Sequence, residues 1–354
     1  MKGARLRFIA TRYPHWGNHA GIGQFTKHLD RQRYRVDYHL VADNDSQLPL
    51  PGARLRERLR DRVQQSGMAW YKLSDLAAEL RALGASLAGR AQLVHFLDGE
   101  HGAQFLPQWL AAMPGRDPPL VASYHQPAQL LPTLVDPKVL TLLDAVVLVA
   151  PSQRGFFEAF MPAEKIVTIL HGIDTDYYRP GALPDDGIFR CVTAGHWLRD
   201  WGAMKRAAKA LREHSDIEFH VVTNRVTGLE GLPNVRIHNG LTDGELLTLY
   251  QRCDLGLLPL TDSTANNSLL EFIACGLPLL STDLEAVRAY VGDDEAVLLS
   301  PGEGAGFAQA ILDLRDDLEL CAGMGRAARR RAEQLAWPNI AAEYAQLYSR
   351  LLTE

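Results

Sequence analysis

Short apolar runs alternate with longer segments of helical periodicity along the 354 residues of this chain. This alternation is typical of parallel sheets covered by helices on both faces. Six strands are predicted in the first half, at residues 6–10, 34–41, 93–97, 120–124, 145–150 and 166–170. Six more are predicted in the second half, at residues 189–194, 218–223, 235–239, 255–259, 277–281 and 296–299. Two sets of six strands indicate two doubly wound α/β domains.

The segment 175–187 separates the two sets of strands. Its two prolines, two glycines and two adjacent aspartates break any regular element. We therefore predict a first domain over residues 1–174 and a second over residues 188–336, joined by a hinge.

Charge and cysteine content exclude several functions. The chain has 37 Lys and Arg against 42 Asp and Glu, a net charge of -5, so no overall positive field draws it to nucleic acid. Its four cysteines lie far apart, without the paired spacing of a zinc site or a disulfide framework, so we expect buried thiols and no metal. No apolar run approaches the roughly 18 residues of a membrane span. We expect a cytoplasmic protein.

Residues 54–63 form a basic segment, with arginine at every second position from Arg54 to Arg62. Leu55, Leu59 and Val63 are spaced to lie along one side of a helix. The interpretation that we favour is a solvated helix with a thin apolar seam. The alternative is a basic surface that faces an anionic acceptor, or that makes a peripheral contact with the inner face of the membrane.

A glycine-containing loop follows the first predicted strand and opens a helical pattern. Gly21 and Gly23 allow the backbone to pass close to another group, and the helix start behind them offers free amides and a positive dipole end. A phosphate fits such a place, although a tight strand-to-helix turn explains the glycines equally well. A third glycine of the dinucleotide fingerprint is missing, which argues against a dehydrogenase.

A second helix start is predicted at Asn266, Asn267 and Ser268, which directly precede an apolar helical run. Its exposed amides form a second candidate anion site. Glu271 lies one turn into this helix among apolar neighbours, where a lone carboxylate needs a partner. The two hydroxyls of a ribose are suited to that role, and a bond to nearby backbone or a salt bridge is the alternative.

Cations and a histidine follow two other predicted strands. Arg199 lies in the turn after the strand 189–194, and Lys205 and Arg206 begin the next helical run. A cation there can neutralise a departing diphosphate, and we favour Arg199 although spacing does not decide which side chain points inward. His125 ends the strand 120–124, where open parallel sheets bind ligands and where imidazole can bond a sugar hydroxyl or move a proton. The polar residues Asp98, Glu100 and His101 end the preceding strand.

In this order, these features resemble the family 4 glycosyltransferases, which are retaining enzymes of the GT-B fold. The resemblance extends over nearly the whole chain. It rests on Ala20-Gly21-Ile22-Gly23, on His125, on His171-Gly172-Ile173-Asp174 at the domain junction, on the turn from Gly195 to Trp201, and on segment 234–254. The most specific match is Leu-Leu-Glu-Phe-Ile-Ala-Cys-Gly-Leu-Pro at residues 269–278.

The resemblance implies two Rossmann-like domains that face a cleft, with residues 337–354 as a helix that crosses back to the first domain. It implies transfer of a sugar from a nucleoside-diphosphate sugar to the hydroxyl of a saccharide, lipid-linked or small-molecule acceptor, with no metal or other cofactor. Glu271 then holds the ribose, and the amides from Asn266 to Leu269 hold the phosphates. The candidate catalytic residues are His125, Arg199 and Lys205. The candidate donor-binding residues are Gly21, Gly23, His196, Asn239, Leu241, Ser263, Asn266, Asn267, Ser268, Leu269 and Glu271.

Three departures from the family pattern affect the donor site. The first of two family glutamates is Ser263 here, and the arginine of the Gly-Arg turn is His196. The usual lysine falls near Trp201, which leaves Arg199 or Lys205 to replace it, and the first loop glycine is Ala20. Two alternatives remain open. One is a nucleotide-sugar epimerase, which shares the two-domain shape, and the other is an inactive protein that binds sugar nucleotides or glycans, which Ser263 and His196 suggest.

Overall fold

The computed structural model describes residues 3–13, 17–48, 52–64, 68–113, 115, 118–225, 228–303 and 306–353. The chain divides into two compact units. The first comprises the described residues within 1–16, 21–171 and 337–354, and the second those within 17–20 and 172–336. In the described part of the chain, no helix is both long and apolar enough to cross a membrane.

The first unit contains a parallel sheet of six strands, in the order β2-β1-β3-β4-β5-β6. The strands are β1 (Ala4–Arg12), β2 (Tyr34–Ala42), β3 (Leu93–Phe96), β4 (Leu120–Tyr124), β5 (Ala145–Leu148) and β6 (Ile166–Thr168). All residues of β3, β4 and β5 are buried, because helices cover both faces of the sheet. These helices are α1 (Ala53–Val63), α2 (Leu73–Leu87), α3 (Gly99–Gly102), α4 (Leu106–Ala111), α5 (Leu131–Leu134), α6 (Pro137–Leu140) and α7 (Arg154–Glu158).

The second unit has the same architecture, with strand order β12-β11-β10-β7-β8-β9. Its strands are β7 (Phe189–Ala194), β8 (Ile217–Val222), β9 (Val235–His238), β10 (Leu255–Leu258), β11 (Leu279–Thr282) and β12 (Ala296–Leu299). Its helices are α8 (Trp201–Ala210), α9 (Asp243–Tyr250), α10 (Asn267–Ala274), α11 (Glu285–Arg288), α12 (Gly306–Asp316) and α13 (Leu318–Gln334). The predicted fold class is confirmed, and all twelve predicted strands are present with ends shifted by at most about two residues.

The last helix, α14 (Trp337–Leu351), packs within the first unit. Tyr344 stacks on Phe25 with ring centroids 4.0 Å apart. The imidazole of His95 is fully buried and bonds the hydroxyls of Tyr348 at 2.7 Å and Ser123 at 2.8 Å. Burial lowers the pKa of His95 to about 3, so the ring is neutral at pH 7 and links helix to sheet without a buried charge.

All four cysteines are buried and carry free thiols, as the sequence predicts. They belong to the second unit, on or beside its strands and helices. The apolar core on one face of its sheet includes Cys191 and Cys321, which pack as small hydrophobic side chains.

Helix α10 lies against strand β10 at a glycine. A Cβ atom added to Gly256 would come within 2.5 Å of the ring of Phe272, which is fully buried. Real Cβ atoms do not approach other heavy atoms so closely, so glycine at this position lets the helix approach the sheet. The position of α10 therefore depends on Gly256.

We expect the substitution Gly256→Ala to lower the free energy of unfolding by about 1–3 kcal/mol, because the added methyl group forces Phe272 away from the sheet. The matched control is Gly244→Ala in helix α9, where an added Cβ meets nothing within 4 Å and the helix propensity of alanine is higher. Urea denaturation of both variants measures the difference. Equal stability of the two variants would contradict this account of the contact.

Candidate functional site

The turn after strand β7 is held by the side chain of Arg199. The guanidinium donates to the carbonyl oxygen of Ala194 from Nε at 3.2 Å and from Nη2 at 2.6 Å, and to Trp197 O from Nη1 at 3.1 Å. Gly195 has φ 79° and Leu198 has φ 56°, so the backbone is left-handed at two points of one short turn. For leucine that conformation is strained, and the bond from the Thr261 amide to Leu198 O at 3.0 Å helps to hold it.

The same guanidinium reaches the beginning of helix α10. Its Nη2 lies 3.4 Å from Asn266 Oδ1 and 3.2 Å from Ser268 Oγ. Asn266 is the N-cap of this helix, since its Oδ1 accepts from the amide of Leu269 at 3.3 Å. The structure thus brings four of the predicted residues together. Burial lowers the pKa of Arg199 to about 10, and the side chain stays positively charged at pH 7.

The start of α10 has the features of an anion site. The amides of Asn267 and Ser268 precede any acceptor within the helix, and the helix dipole adds a partial positive charge there. With Arg199 beside them, two backbone donors and a guanidinium lie at one end of one helix. The predicted helix N-terminus at Asn266, Asn267 and Ser268 is therefore confirmed.

Glu271 has protein partners that the sequence did not predict. Its side chain is 7% exposed, with Oε2 accepting from the hydroxyl of Tyr250 at 2.8 Å and Oε1 from Tyr178 at 3.3 Å. The carboxylate thus has the partner that a buried charge needs, supplied by tyrosine hydroxyls and not by backbone or a salt bridge, and these hydroxyls satisfy one lone pair on each oxygen. Each oxygen keeps a second lone pair for another donor. Ribose binding by Glu271 stays a prediction. Burial raises the pKa of Glu271 to about 7.

Two predicted donor-binding residues, Ser263 and His196, and the predicted catalytic residue Lys205 have different surroundings. Ser263 is 4% exposed and its hydroxyl donates to the carbonyl oxygen of Thr264 at 3.1 Å. His196 is exposed at the turn after β7. Lys205 is half-buried on α8, with its ammonium group beside Gly228.

Asn239 and Leu241 follow strand β9. Asn239 is exposed, and Leu241 lines a pocket of about 390 Å³ between helix α9 and the face of strands β8 and β9. The other lining residues are Arg190, Glu218, His220, His238, Glu245, Thr248, Leu249 and Arg252. The pocket thus does not include Arg199, Asn266 or Glu271, and the role of Asn239 and Leu241 beside the base stays a prediction.

In the first unit, the glycine loop leads into a 3₁₀ helix, Ile22–His28, where the sequence predicts an α-helix start. Gly21 has φ 91°, which favours glycine. The carbonyl oxygen of Gly23 accepts from the hydroxyls of Thr26 at 2.8 Å and Tyr38 at 2.9 Å, and a Cβ there would lie 3.0 Å from the Tyr38 hydroxyl. The close approach at Gly23 is therefore explained by Tyr38 on strand β2, and phosphate binding by this loop stays a prediction.

His125 lies at the end of strand β4, half-buried in a polar cluster. Its Nε2 is 2.7 Å from the carbonyl oxygen of Leu97, and its amide donates to the carboxylate of Glu100. Glu100 also accepts from the amide of Gln126 at 2.8 Å, while Asp98 accepts from Thr11 N at 2.7 Å. Burial raises the pKa of both carboxyl groups, and the nearby His125 counteracts this. The polar residues that follow strands β3 and β4 thus lie together at this edge of the sheet, as expected.

Metal ligands do not cluster in the part of the chain that the structure describes. Among those residues there is no group of three or more His, Cys, Asp and Glu side chains that could hold a metal ion.

Sequence comparison identifies two family matches and several relatives. The Glycosyltransferase Family 4 model matches residues 21–177, and the model for group 1 glycosyl transferases matches residues 198–317. A D-inositol 3-phosphate glycosyltransferase of Streptomyces avermitilis is 25% identical over 217 residues, which are 52% of this chain and 47% of the relative. An MMP alpha-(1->4)-mannosyltransferase of Mycolicibacterium hassiacum is 23% identical over 202 residues, 53% of this chain and 49% of the relative. The chain thus spans about half the length of these relatives.

Solved structures share the fold over the full chain. Sucrose-phosphate synthase of Thermosynechococcus elongatus superposes with a TM-score of 0.74 at 16% identity and 99% coverage of both chains. Anabaena HepE in complex with UDP and glucose gives 0.66 at 16% identity, covering 97% of this chain and 99% of its own. At such identity these likenesses establish the architecture alone. The two family matches follow one another along the chain and identify it as a glycosyltransferase of the family 4 type. The solved structures show that it has the GT-B fold.

Proposed function

We propose that this protein is a metal-independent, retaining glycosyltransferase that moves a sugar from a nucleoside-diphosphate sugar to an acceptor hydroxyl. The observation that carries the proposal is the guanidinium of Arg199 at the start of α10, 3.2 Å from Ser268 Oγ and 3.4 Å from Asn266 Oδ1. A fixed cation beside the first amides of a helix is suited to a diphosphate.

The reaction breaks the bond between the anomeric carbon and a diphosphate oxygen, which keeps the electron pair. The acceptor oxygen forms the new bond on the face that the diphosphate leaves, and its proton passes to the departing phosphate. Negative charge grows on the diphosphate as the bond breaks, and Arg199 with the amides of Asn267 and Ser268 stabilises it. Losing one such preorganised donor typically costs about 3 kcal/mol, or roughly 100-fold in rate.

The nucleoside part of the donor is assigned to Glu271. Its carboxylate lies one helical turn after Asn267, and each oxygen retains one lone pair after bonding to a tyrosine. Two hydroxyls on neighbouring carbons, as in ribose, match two acceptors on one carboxylate. Glu271 thus binds the ribose, whereas the start of the helix binds the phosphates.

The donor class is supported by similar proteins. HepE has been solved in complex with UDP and with UDP-glucose. Relatives of this chain are named as glycosyltransferases of D-inositol 3-phosphate and of MMP. We infer a nucleoside-diphosphate sugar as donor and a saccharide, lipid-linked or small-molecule hydroxyl as acceptor, and the contact of His125 with the donor sugar stays a prediction.

We expect Arg199→Ala to lower kcat for sugar transfer by about 100-fold or more, because the leaving diphosphate loses its cation. The control is Arg206→Ala, which removes an exposed arginine from helix α8. Steady-state kinetics with the donor that turns over, chosen from UDP-, GDP- and ADP-sugars, measure both variants. Similar kcat for the two variants would remove Arg199 from the mechanism.

Product analysis tests the reaction class. We expect NMR of the product to show the anomeric configuration of the donor, and we expect sugar transfer to stop when the acceptor is left out. A new sugar nucleotide formed without acceptor would identify an epimerase. Binding of a nucleoside diphosphate without turnover of any donor would identify an inactive binding protein. The reason to test this outcome is Ser263, a serine with a buried hydroxyl at a position where the family has a glutamate.

We also propose that helix α1 contacts an anionic membrane surface from the cytoplasm. None of its described side chains is buried, and Arg54, Arg58 and Arg62 are all exposed at a spacing of four residues. Leu55, beside this row, is 42% exposed. A row of cations with an apolar neighbour is typical of helices that bind anionic lipid headgroups.

We expect the protein to co-sediment with vesicles that contain phosphatidylglycerol, and not with pure phosphatidylcholine, at low salt. Replacing Arg54, Arg58 and Arg62 with serine should abolish most of this binding, since each arginine contributes about 1 kcal/mol. The control variant replaces three other exposed arginines, Arg90, Arg326 and Arg330, and so has the same net charge. Equal loss in both variants would show that net charge, not α1, decides binding.

A further inference from the structure

Two separate segments of the second unit place a hydroxyl donor on the carboxylate of Glu271. Tyr250 is the last residue of α9 and is fully buried, and Tyr178 lies in the segment between the two predicted domains and is 4% exposed. Their hydroxyls are 2.8 Å from Oε2 and 3.3 Å from Oε1. Each oxygen of the carboxylate thus accepts a hydrogen bond from a hydroxyl that is itself buried.

The backbone around Tyr178 is fixed to the far end of α10. The guanidinium of Arg329 donates from Nη1 to the carbonyl oxygens of Tyr178 at 2.9 Å and Ala274 at 2.8 Å, and from Nη2 to Thr175 O at 3.1 Å. The amide of Tyr178 donates to Asp174 O at 2.9 Å. Arg329 on helix α13 therefore links the backbone of Tyr178 to the end of the helix that carries Glu271.

We propose that Tyr178 and Tyr250 are positioning residues that keep Glu271 ionised and turned to accept the ribose hydroxyls of the donor. The inference rests on the proposed function and deepens it. The two tyrosines do not contact the donor in this assignment. They act through the carboxylate, by donating one hydrogen bond to each of its oxygens.

The charged form of Glu271 depends on these bonds. A protonated carboxyl group carries an O–H donor and has fewer acceptor sites than a carboxylate, so it binds the two hydroxyls of a diol less well. Burial and the negative charge of Asp243 favour the protonated form, whereas the two tyrosine hydroxyls and the charge of Arg199 favour the ionised form. The thiol of Cys275 also lies near Glu271, and burial keeps it protonated by raising its pKa to about 12.

The tyrosines remain donors throughout the useful pH range. Burial and the neighbouring carboxylate raise the pKa of both Tyr178 and Tyr250 far above its ordinary value. Among these three groups, Glu271 is therefore the one that titrates near neutral pH, with a pKa of about 7 when both hydroxyls are present. Removing one hydroxyl removes a stabiliser of the ionised form, so this pKa rises and less carboxylate is ionised at pH 7.

The test measures binding of UDP, GDP and ADP by calorimetry from pH 6 to pH 9, and continues with the nucleotide that wild type binds best. For wild type we expect affinity to fall as the pH drops below about 7. In Tyr178→Phe and Tyr250→Phe we expect the midpoint of this fall to move up by about one pH unit, with roughly fivefold weaker binding at pH 7 and recovery by pH 9. The control is Tyr177→Phe, whose ring stacks on His19 and whose profile should match wild type.

The 2′,3′-dideoxy form of the same nucleotide provides a second measurement. We expect wild type to prefer the ribose form, and each phenylalanine variant to lose much of that preference at pH 7 while regaining it at pH 9. Affinity that falls equally at every pH in these variants would mean that the tyrosines only support the fold, and the positioning role would be overturned.

Failure of this inference can be told from failure of the proposed function. Phenylalanine variants that match wild type at every pH, together with a Glu271→Ala variant that no longer binds nucleotide, would overturn the positioning role alone. A wild-type protein that binds none of the three nucleotides, or a Glu271→Ala variant that binds like wild type, would overturn the donor site itself.

Discussion

The contact between helix α10 and strand β10 sets the position of the candidate donor site. Phe272 packs over Gly256, where a Cβ would lie 2.5 Å from the ring, and its other side meets Tyr250 edge-on at 5.0 Å between centroids. Glu271 is the preceding residue, so the packing that seats Phe272 also directs the carboxylate to the hydroxyl of Tyr250. One close approach of helix to sheet therefore determines the depth of the carboxylate and the place of the helix start.

The two charges of the site are partnered in different ways, and this difference suits a phosphate-containing ligand. Among the described residues, Arg199 donates to carbonyl, amide and hydroxyl oxygens and to no carboxylate. Within the same described residues, Glu271 accepts from hydroxyls and forms no ion pair. Neutral partners hold each of these two groups in place without cancelling its charge. An ion pair between Arg199 and Glu271 would have neutralised both groups. Without one, the guanidinium is suited to bind phosphate and the carboxylate is suited to bind hydroxyls.

The strands and the start of α10 were predictable because their signals are local. A strand buried on both faces is a continuous apolar run, and Asn266 directly before a run of apolar residues is a common helix cap. The partners of Glu271 were not predictable, since Tyr178 and Tyr250 are 93 and 21 residues away along the chain. For the same reason the sequence did not predict that Gly23 lies against Tyr38, 15 residues later on the next strand. Spacing along the chain does not encode which tyrosine the fold brings to a buried polar group.

We infer that the serine at position 263 separates nucleotide binding from the choice of sugar. Its hydroxyl is turned to the carbonyl oxygen of Thr264, so it neither supplies a carboxylate nor takes part in the contacts of Arg199, Asn266 or Glu271. We infer that a change at Ser263 alters the hydroxyls that a donor sugar can satisfy and leaves the phosphate and ribose contacts in place. A site that bonds a particular hydroxyl discriminates strongly against sugars that lack it. We therefore expect the loss of an acceptor here to broaden the set of donor sugars before it weakens nucleotide binding.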